Sequence, residues 1–168
     1  MKNSTGDLLD LAQKLAYGPS GYSATKIIIE KESVEYGALD FDLGGFQCKY
    51  RVGKVTPKKF GFFVTIWKRI GSGPIMPYDL DDPVDFFIFS VSTQEHFGQF
   101  IFPKAVLVEK GIVSKEGKGG KRAIRVYPPW TTPDSRQAKQ TQRWQEDYFL
   151  DLSNGSSIVS ARLSLLLS

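Results

Sequence analysis

The residues of this chain best spaced for chemistry are two aspartates and a glutamine–lysine pair. Asp40 and Asp42 alternate along "ALDFDL", and beyond Gly44-Gly45 come Gln47 and Lys49 in "FQCKYRV". Residues i and i+2 of a strand share a face, so Gln47 and Lys49 point together, as do the two aspartates. Carboxylates hold Mg²⁺ or Mn²⁺ through oxygen, and a lysine beside them stabilises an attacked phosphate. The chemistry this would serve is metal-dependent phosphodiester hydrolysis, with Asp40 and Asp42 as metal ligands. Glu35 in "ESVEYG" is the further acid, expected from a helix. Gln47 stands where an acid is usual, and an amide is the weaker ligand.

Hydrophobic periodicity supplies the elements that must position these groups. "STGDLLDLAQKLAYG" opens with Ser/Thr caps, puts Leu8, Leu11, Ala12 and Leu15 on one helical face and stops at Gly18. "ATKIIIEKESVEYGAL" reads both ways: Ile27 to Ile29 suit a strand, whereas Glu30, Glu32, Val34 and Glu35 suit a helix approaching Gly37. "ALDFDL" and "FQCKYRVGKV" flank a glycine pair and form a hairpin. "KFGFFVTIWKRI", "VDFFIFSVS", "QFIF" and "IRVYP" are further strands. "PKAVLVEKGI" is a short helix bounded by Pro103 and Gly111, and "DSRQAKQTQRWQEDYFLDL" a capped amphipathic one. The order is α+β, without regular βαβ alternation. Residues 1–152 form one domain, and 153–168 a tail that is either a docked helix or a poorly ordered end.

Charge is distributed unevenly along these elements. Lys49 to Arg69 holds seven Lys or Arg and no acid, whereas Asp79 to Glu95 holds five acids and no base. Lys49, Arg51, Lys54, Lys68 and Arg69, joined through Lys58-Lys59, therefore read as one cationic, aromatic-studded hairpin. Such a surface attracts phosphate, because each neutralised phosphate releases counterions, and Tyr50, Phe62, Phe63 and Trp67 can stack bases. The bland reading is a lysine-protected strand edge. A second basic group weighs against it: Lys110 to Arg143 holds nine bases and two acids, with Lys121, Arg122 and Arg125 following Gly119-Gly120. Backbone amides of such a loop can cradle a phosphate. The two groups read as opposing walls of a groove for nucleic acid, DNA first.

Composition bounds the alternatives. A chain of 168 residues with 41% hydrophobic content is long enough to bury one core, and the +4 net charge matters only because it is clustered. One cysteine precludes an internal disulfide, and with one histidine there is no Cys/His zinc site. Cys48 alternates inward, and His96 sits at a hairpin tip as a surface residue. No apolar run reaches membrane-spanning length and the N-terminus lacks a signal core, so no membrane partner and a cytoplasmic location are expected. The oligomeric state is not encoded in these patterns.

Several stretches carry a resemblance: "ESVEYGALDF", "KVTPKKFGFFVTIWKR", "DDPVDFFIFSV", "GQFIFPKAVLVEKGIVS", "GGKRAIRVYPPW" and "QTQRWQEDYFLDL". From about Glu32 to Leu152 the chain resembles the MepB family of small bacterial proteins. The resemblance implies a restriction-endonuclease-like core, a central mixed β-sheet flanked by helices, and an association with multidrug-efflux operons. It implies no settled reaction. The layout of helix acid, strand acid and Gln-x-Lys is similar to active sites of that fold. The expectation is a nucleic-acid-binding protein using Arg51, Lys54, Lys58, Lys59, Lys68, Arg69, Lys121, Arg122 and Arg125, with no cofactor needed for binding. Its rivals are a Mg²⁺- or Mn²⁺-dependent nuclease built on Glu35, Asp40, Asp42, Gln47 and Lys49, and a module that docks an acidic protein.

Overall fold

Gly44 and Gly45, both at positive φ (59° and 88°), close a two-residue hairpin that an L side chain would strain. The computed structural model describes residues 5–153 and 157–168, and this hairpin seeds its main sheet. The chain runs α1 (Thr5–Ala12), β1 (Ala24–Ile29), β2 (Leu39–Leu43), β3 (Phe46–Val52), β4 (Lys54–Thr56), β5 (Lys59–Thr65), β6 (Trp67–Lys68) and β7 (Met76–Pro77). It continues through β8 (Phe86–Ser92), β9 (Phe97–Pro103), α2 (Lys104–Glu109), β10 (Ala123–Val126), α3 (Arg136–Gln145), β11 (Phe149–Asp151) and α4 (Ser157–Leu166). The architecture is α+β with a mixed central sheet in the order β1-β2-β3-β8-β9-β11, in which only β3 and β8 run parallel.

Alternation sends Leu39, Phe41, Leu43, Cys48 and Tyr50 to one face of that sheet, where α1 and α4 cover them. Val159, Leu163, Leu166 and Leu167 are buried in the same cluster, so the C-terminal leucines dock as a helix. Tyr17 donates to Gln99 Oε1 at 2.7 Å there, satisfying two buried polar groups. Of the expected Ser/Thr caps of the first helix, Ser4 lies outside the described residues and Thr5 is already the first residue of α1. The opposite face, with Phe87, Phe89, Phe100 and Phe102, is covered by a three-stranded sheet in the order β10-β5-β4. Its inner face is Phe62, Val64, Ile124 and Val126.

Three expectations are corrected here. The cationic ribbon is not one hairpin, because β3 and β5 belong to different sheets. The chain crosses between them at Gly53, where a Cβ would come within 2.9 Å of Phe62 Cβ. The single strand expected from Lys59 onward breaks after Thr65, and β6 pairs with β7 instead. The acid-bearing segment after Ile29 is not a helix. The isoleucines form β1 through its pairing with β2, and Val34–Tyr36 is a single 3₁₀ turn closed by Gly37 at positive φ. Long-range strand pairing overrides a weak helix propensity here.

The short helices are set by local chemistry. Ser135 caps α3 by accepting from the Ala138 amide at 3.1 Å. From the last turn of α3, Gln145 accepts from Tyr127 N at 2.8 Å and donates to Arg125 O at 3.0 Å. That buried amide pairs the open edge of β10 and fixes α3 beside the small sheet.

Candidate functional site

A polar seam crosses the aromatic face of the main sheet. Register places Asp40 beside Lys49, and Lys49 and Arg51 beside Phe87 and Phe89, so the seam points toward the small sheet rather than the helices. Lys49 Nζ donates to Asp40 Oδ2 at 2.8 Å and to Glu30 Oε1 at 3.5 Å. Arg51 is only 2% exposed. Its Nη2 donates to Glu30 Oε2 at 3.1 Å and the Tyr78 hydroxyl at 3.2 Å, and its Nη1 donates to the Tyr50 carbonyl at 2.9 Å. Burial, and after it the hydrogen bond with the Asp40 carboxyl, raise Glu30 above the ordinary carboxylate value, while Arg51 and Lys49 pull the other way. Burial also pulls Lys49 down, but the Asp40 hydrogen bond and the Tyr78, Asp40 and Glu30 charges outweigh it, leaving the ammonium raised.

The seam opens into a cleft of about 620 Å³, also lined by Gln47, Trp67, Lys68, Arg69 and Asp82. Lys68 donates to Asp82 Oδ1 at 2.7 Å, and Arg69 Nε to Glu32 Oε1 at 3.0 Å. The ribbon that contains no acid in sequence thus meets its acids in space. Lys49, Arg51, Lys68 and Arg69 all have carboxylate partners, drawn from Glu30, Glu32, Asp40 and Asp82.

The proposed hydrolytic set is only partly assembled. Asp40, Gln47 and Lys49 line the cleft; Asp42 and Glu35 do not. Asp42 caps the hairpin turn, accepting from Gly45 N and from Gln47 Nε2, each at 3.0 Å. Glu35 is exposed on the 3₁₀ turn. Glu30, Tyr78 and Asp82 were not foreseen. Glu30 follows directly on β1, and extending the strand reading of Ile27 to Ile29 by one residue would have placed it near Asp40.

Two buried atoms of the seam, Asp40 Oδ1 and Arg51 Nε, have no protein partner among the described residues. Even so, the donor set does not fit a resident divalent ion. Mg²⁺ needs oxygen ligands with charge to spare, and Glu30 and Asp40 are offset by Lys49 and Arg51 within the same hydrogen-bonded cluster. No group of three metal-ligating side chains converges among the described residues.

Six of the cations without carboxylate partners lie on or beside the small sheet. Among the described residues Lys54, Lys58, Lys59, Lys121, Arg122 and Arg125 form no ion pair with an acid. Register sets Lys54, Phe63 and Arg125 in one cross-strand row on the outer face of β4, β5 and β10. Lys54 Nζ lies 4.5 Å from the Tyr36 ring centre, and the Arg125 guanidinium 5.8 Å from that of Phe63. Arg125 is held by bonds to Thr56 Oγ1 at 2.6 Å and Phe60 O at 3.2 Å. Beside this row a cavity of about 560 Å³ opens between β10 and α3, with Lys59, Lys110, Lys121 and Arg125 around it and no acid in its lining.

The glycine-rich loop does not form the phosphate cradle expected of it. Gly120 N donates to Gly111 O at 3.1 Å, Lys121 N to Ile112 O at 2.8 Å and Gly117 N to Asp79 Oδ1 at 3.3 Å, so these amides are already used. His96 stacks on Trp130 with ring centres 4.7 Å apart, half-buried rather than free at a hairpin tip. Cys48 is a free thiol, buried, and burial pushes it up to about 12. No helix among the described residues is long and apolar enough to cross a membrane.

No curated protein matches the chain. The crystal structure of MepB is 37% identical, covering 79% of this chain and 89% of its own, with a TM-score of 0.75. The family model described as MepB-like matches residues 30–151, from the Glu30 of the polar seam to the last strand of the main sheet, and the chain belongs to that family.

Proposed function

We propose that this protein binds nucleic acid, DNA in the first instance, through the outer face of the β4–β5–β10 sheet. The observation that carries the reading is the division of the cations. Lys49, Lys68 and Arg69 in the cleft are neutralised by carboxylates, Lys31 at its rim being the exception among the described residues, whereas Lys54, Lys58, Lys59, Lys121 and Arg125 all lack a carboxylate partner among them and share one small sheet. Like charges gathered on one face repel each other and lower stability unless a partner supplies the counter-charge. A phosphate backbone supplies it at regular spacing and rewards each contact with counterion release. These contacts position a strand without reading its sequence. Such a protein would act in the cytoplasm, and binding would need no metal.

The polar seam on β1, β2 and β3 supports likeness to restriction endonucleases in layout. Cleavage at that seam would require Glu30 and Asp40 to be released from Lys49 and Arg51. A mobility-shift and cleavage assay tests both readings with single- and double-stranded DNA and RNA, in EDTA and in Mg²⁺ or Mn²⁺. A shift that survives EDTA, weakened in Lys59→Ala/Lys121→Ala, is the expected result. Metal-dependent cutting lost in Asp40→Asn would replace binding by hydrolysis. No shift for any strand at physiological salt would remove nucleic acid altogether.

A further inference from the structure

The cavity between β10 and α3 has a chemistry that the phosphate-contacting face alone does not explain. A duplex backbone is met by cations spread along an open surface and asks for no pocket the size of a nucleotide. This is a concave space of about 560 Å³, within the range of about 300–1,000 Å³ typical of small-molecule sites. Its lining combines cations with three aromatic rings, Phe63, Tyr127 and Trp144, and contains no carboxylate. Two of those rings already carry a cation: Arg125 beside Phe63 and Lys110 Nζ 5.3 Å from the Trp144 ring centre. Arg125 is fixed by its bonds to Thr56 and Phe60, so its guanidinium is set in place before any ligand arrives.

We infer that this cavity receives one unpaired nucleotide of a bound strand, its base against Phe63 and Trp144 and its phosphate against Lys59, Lys121 and Arg125. The inference rests on the nucleic-acid reading and narrows it. Aromatic rings stack any base because every base has a π-face, and flanking cations track the backbone. Bases inside a duplex are stacked on their neighbours and cannot enter a concave pocket unless flipped out. The free phosphate source and the strand source share this chemistry, so a nucleoside monophosphate should enter the same space, more weakly, because it lacks the neighbouring phosphates that Lys54 and Lys58 would meet.

The test is fluorescence anisotropy with labelled single-stranded and blunt duplex oligonucleotides, on wild type, Phe63→Leu and Thr141→Trp, with unlabelled nucleoside monophosphate as competitor. Phe63→Leu keeps apolar volume but removes the ring, and Thr141→Trp fills the cavity from α3 with the sheet face untouched; thermal unfolding checks that each is folded. The expected result is tighter single-strand than duplex binding, with single-strand binding lowered about fivefold or more by either variant and duplex binding unchanged in Thr141→Trp, which leaves the sheet face intact. Equal affinity for the two strands, or single-strand binding indifferent to both variants, overturns the cavity while leaving the cationic face in place. Failure of wild type to bind either strand overturns both.

Discussion

Arg51→Met and the pair Lys59→Ala/Lys121→Ala should separate a structural cation from functional ones. Arg51 is 2% exposed, and the Glu30 side chain that it pairs with is 21% exposed. Removing one member of a buried ion pair costs about 3–5 kcal/mol, because the remaining charge is left desolvated. Glu30 keeps Lys49 at 3.5 Å and some water, which argues for the lower end, about 3 kcal/mol. At about 2–4 °C per kcal/mol for a chain of this size, Arg51→Met should lower Tm by about 6–12 °C. It should leave the salt dependence of nucleic-acid binding alone, since Arg51 meets no solvent. The surface pair should do the reverse. Exposed substitutions away from packed features cost within about 0.5 kcal/mol each, and losing two phosphate contacts flattens the slope of log K against log salt by about 2 × 0.9, or about 1.8, on duplex DNA. Calorimetric unfolding and anisotropy titrations over a salt series measure both quantities on the same samples. If Arg51→Met flattened the slope while Tm held, Arg51 would be a surface contact and the division of cations drawn above would be wrong.

Gly98→Ala should destabilise the β9–β11 edge by about 1–3 kcal/mol, seen as a lower Tm, because the new Cβ would run into the Phe149 ring and lie 2.8 Å from Leu150 O. Asp79 is held below its ordinary 3.8 by the Ser114 hydroxyl first and then by the Asp81 and Gly117 amides. Its contribution is therefore complete above 3.8 and lost as pH falls through the depressed folded value; the Tm gap between wild type and Asp79→Asn should be constant near neutrality and close in acid, and a gap that persists in acid would contradict the assignment. Cys48, raised to about 12 by burial first and then by the Asp85 and Asp42 charges, should resist iodoacetamide at mildly alkaline pH until the protein is unfolded in urea. Rapid alkylation of the native protein would place the thiol at the surface.

The elements that could be read directly from the chain are those whose signals are local. The Gly44-Gly45 turn, the period-two burial of β2, the Pro103 and Gly111 bounds of α2 and the Ser135 cap of α3 all depend on neighbours within a few residues. The parallel pairing of β3 with β8 does not, and neither does the departure of β4 and β5 into a second layer at Gly53. Without that departure, every cation from Lys49 to Arg69 falls on one imagined ribbon. The partners that neutralise three of them are equally remote: Glu30 is 21 residues from Arg51, Asp82 is 14 from Lys68, and Glu32 is 37 from Arg69. A charge run is a local pattern, but its compensation is a tertiary one.

One piece of that compensation was nonetheless within reach of the sequence. A two-residue turn at Gly44-Gly45 dictates the register of everything before and after it: Leu43 faces Phe46, Asp42 faces Gln47, and Asp40 faces Lys49. Opposite charges directly across an antiparallel pair attract, and their side chains lie within reach. Lys49 was therefore committed to Asp40 by the hairpin itself, before any acid from elsewhere was considered. The next position on that face, Arg51, lies further from the turn, on a strand whose neighbour Tyr50 is also buried. A strand covered on both faces cannot leave a guanidinium unpaired, so an acid had to come from outside the hairpin, and Glu30, the residue that follows β1, is the one that reaches it. The first cation beyond Gly53, where the chain leaves the buried sheet, is Lys54, followed by Lys58 and Lys59. Freed from the central sheet, these lysines meet no requirement for an internal counter-charge, which is why the search for an anionic ligand belongs on the small sheet and not in the larger cleft.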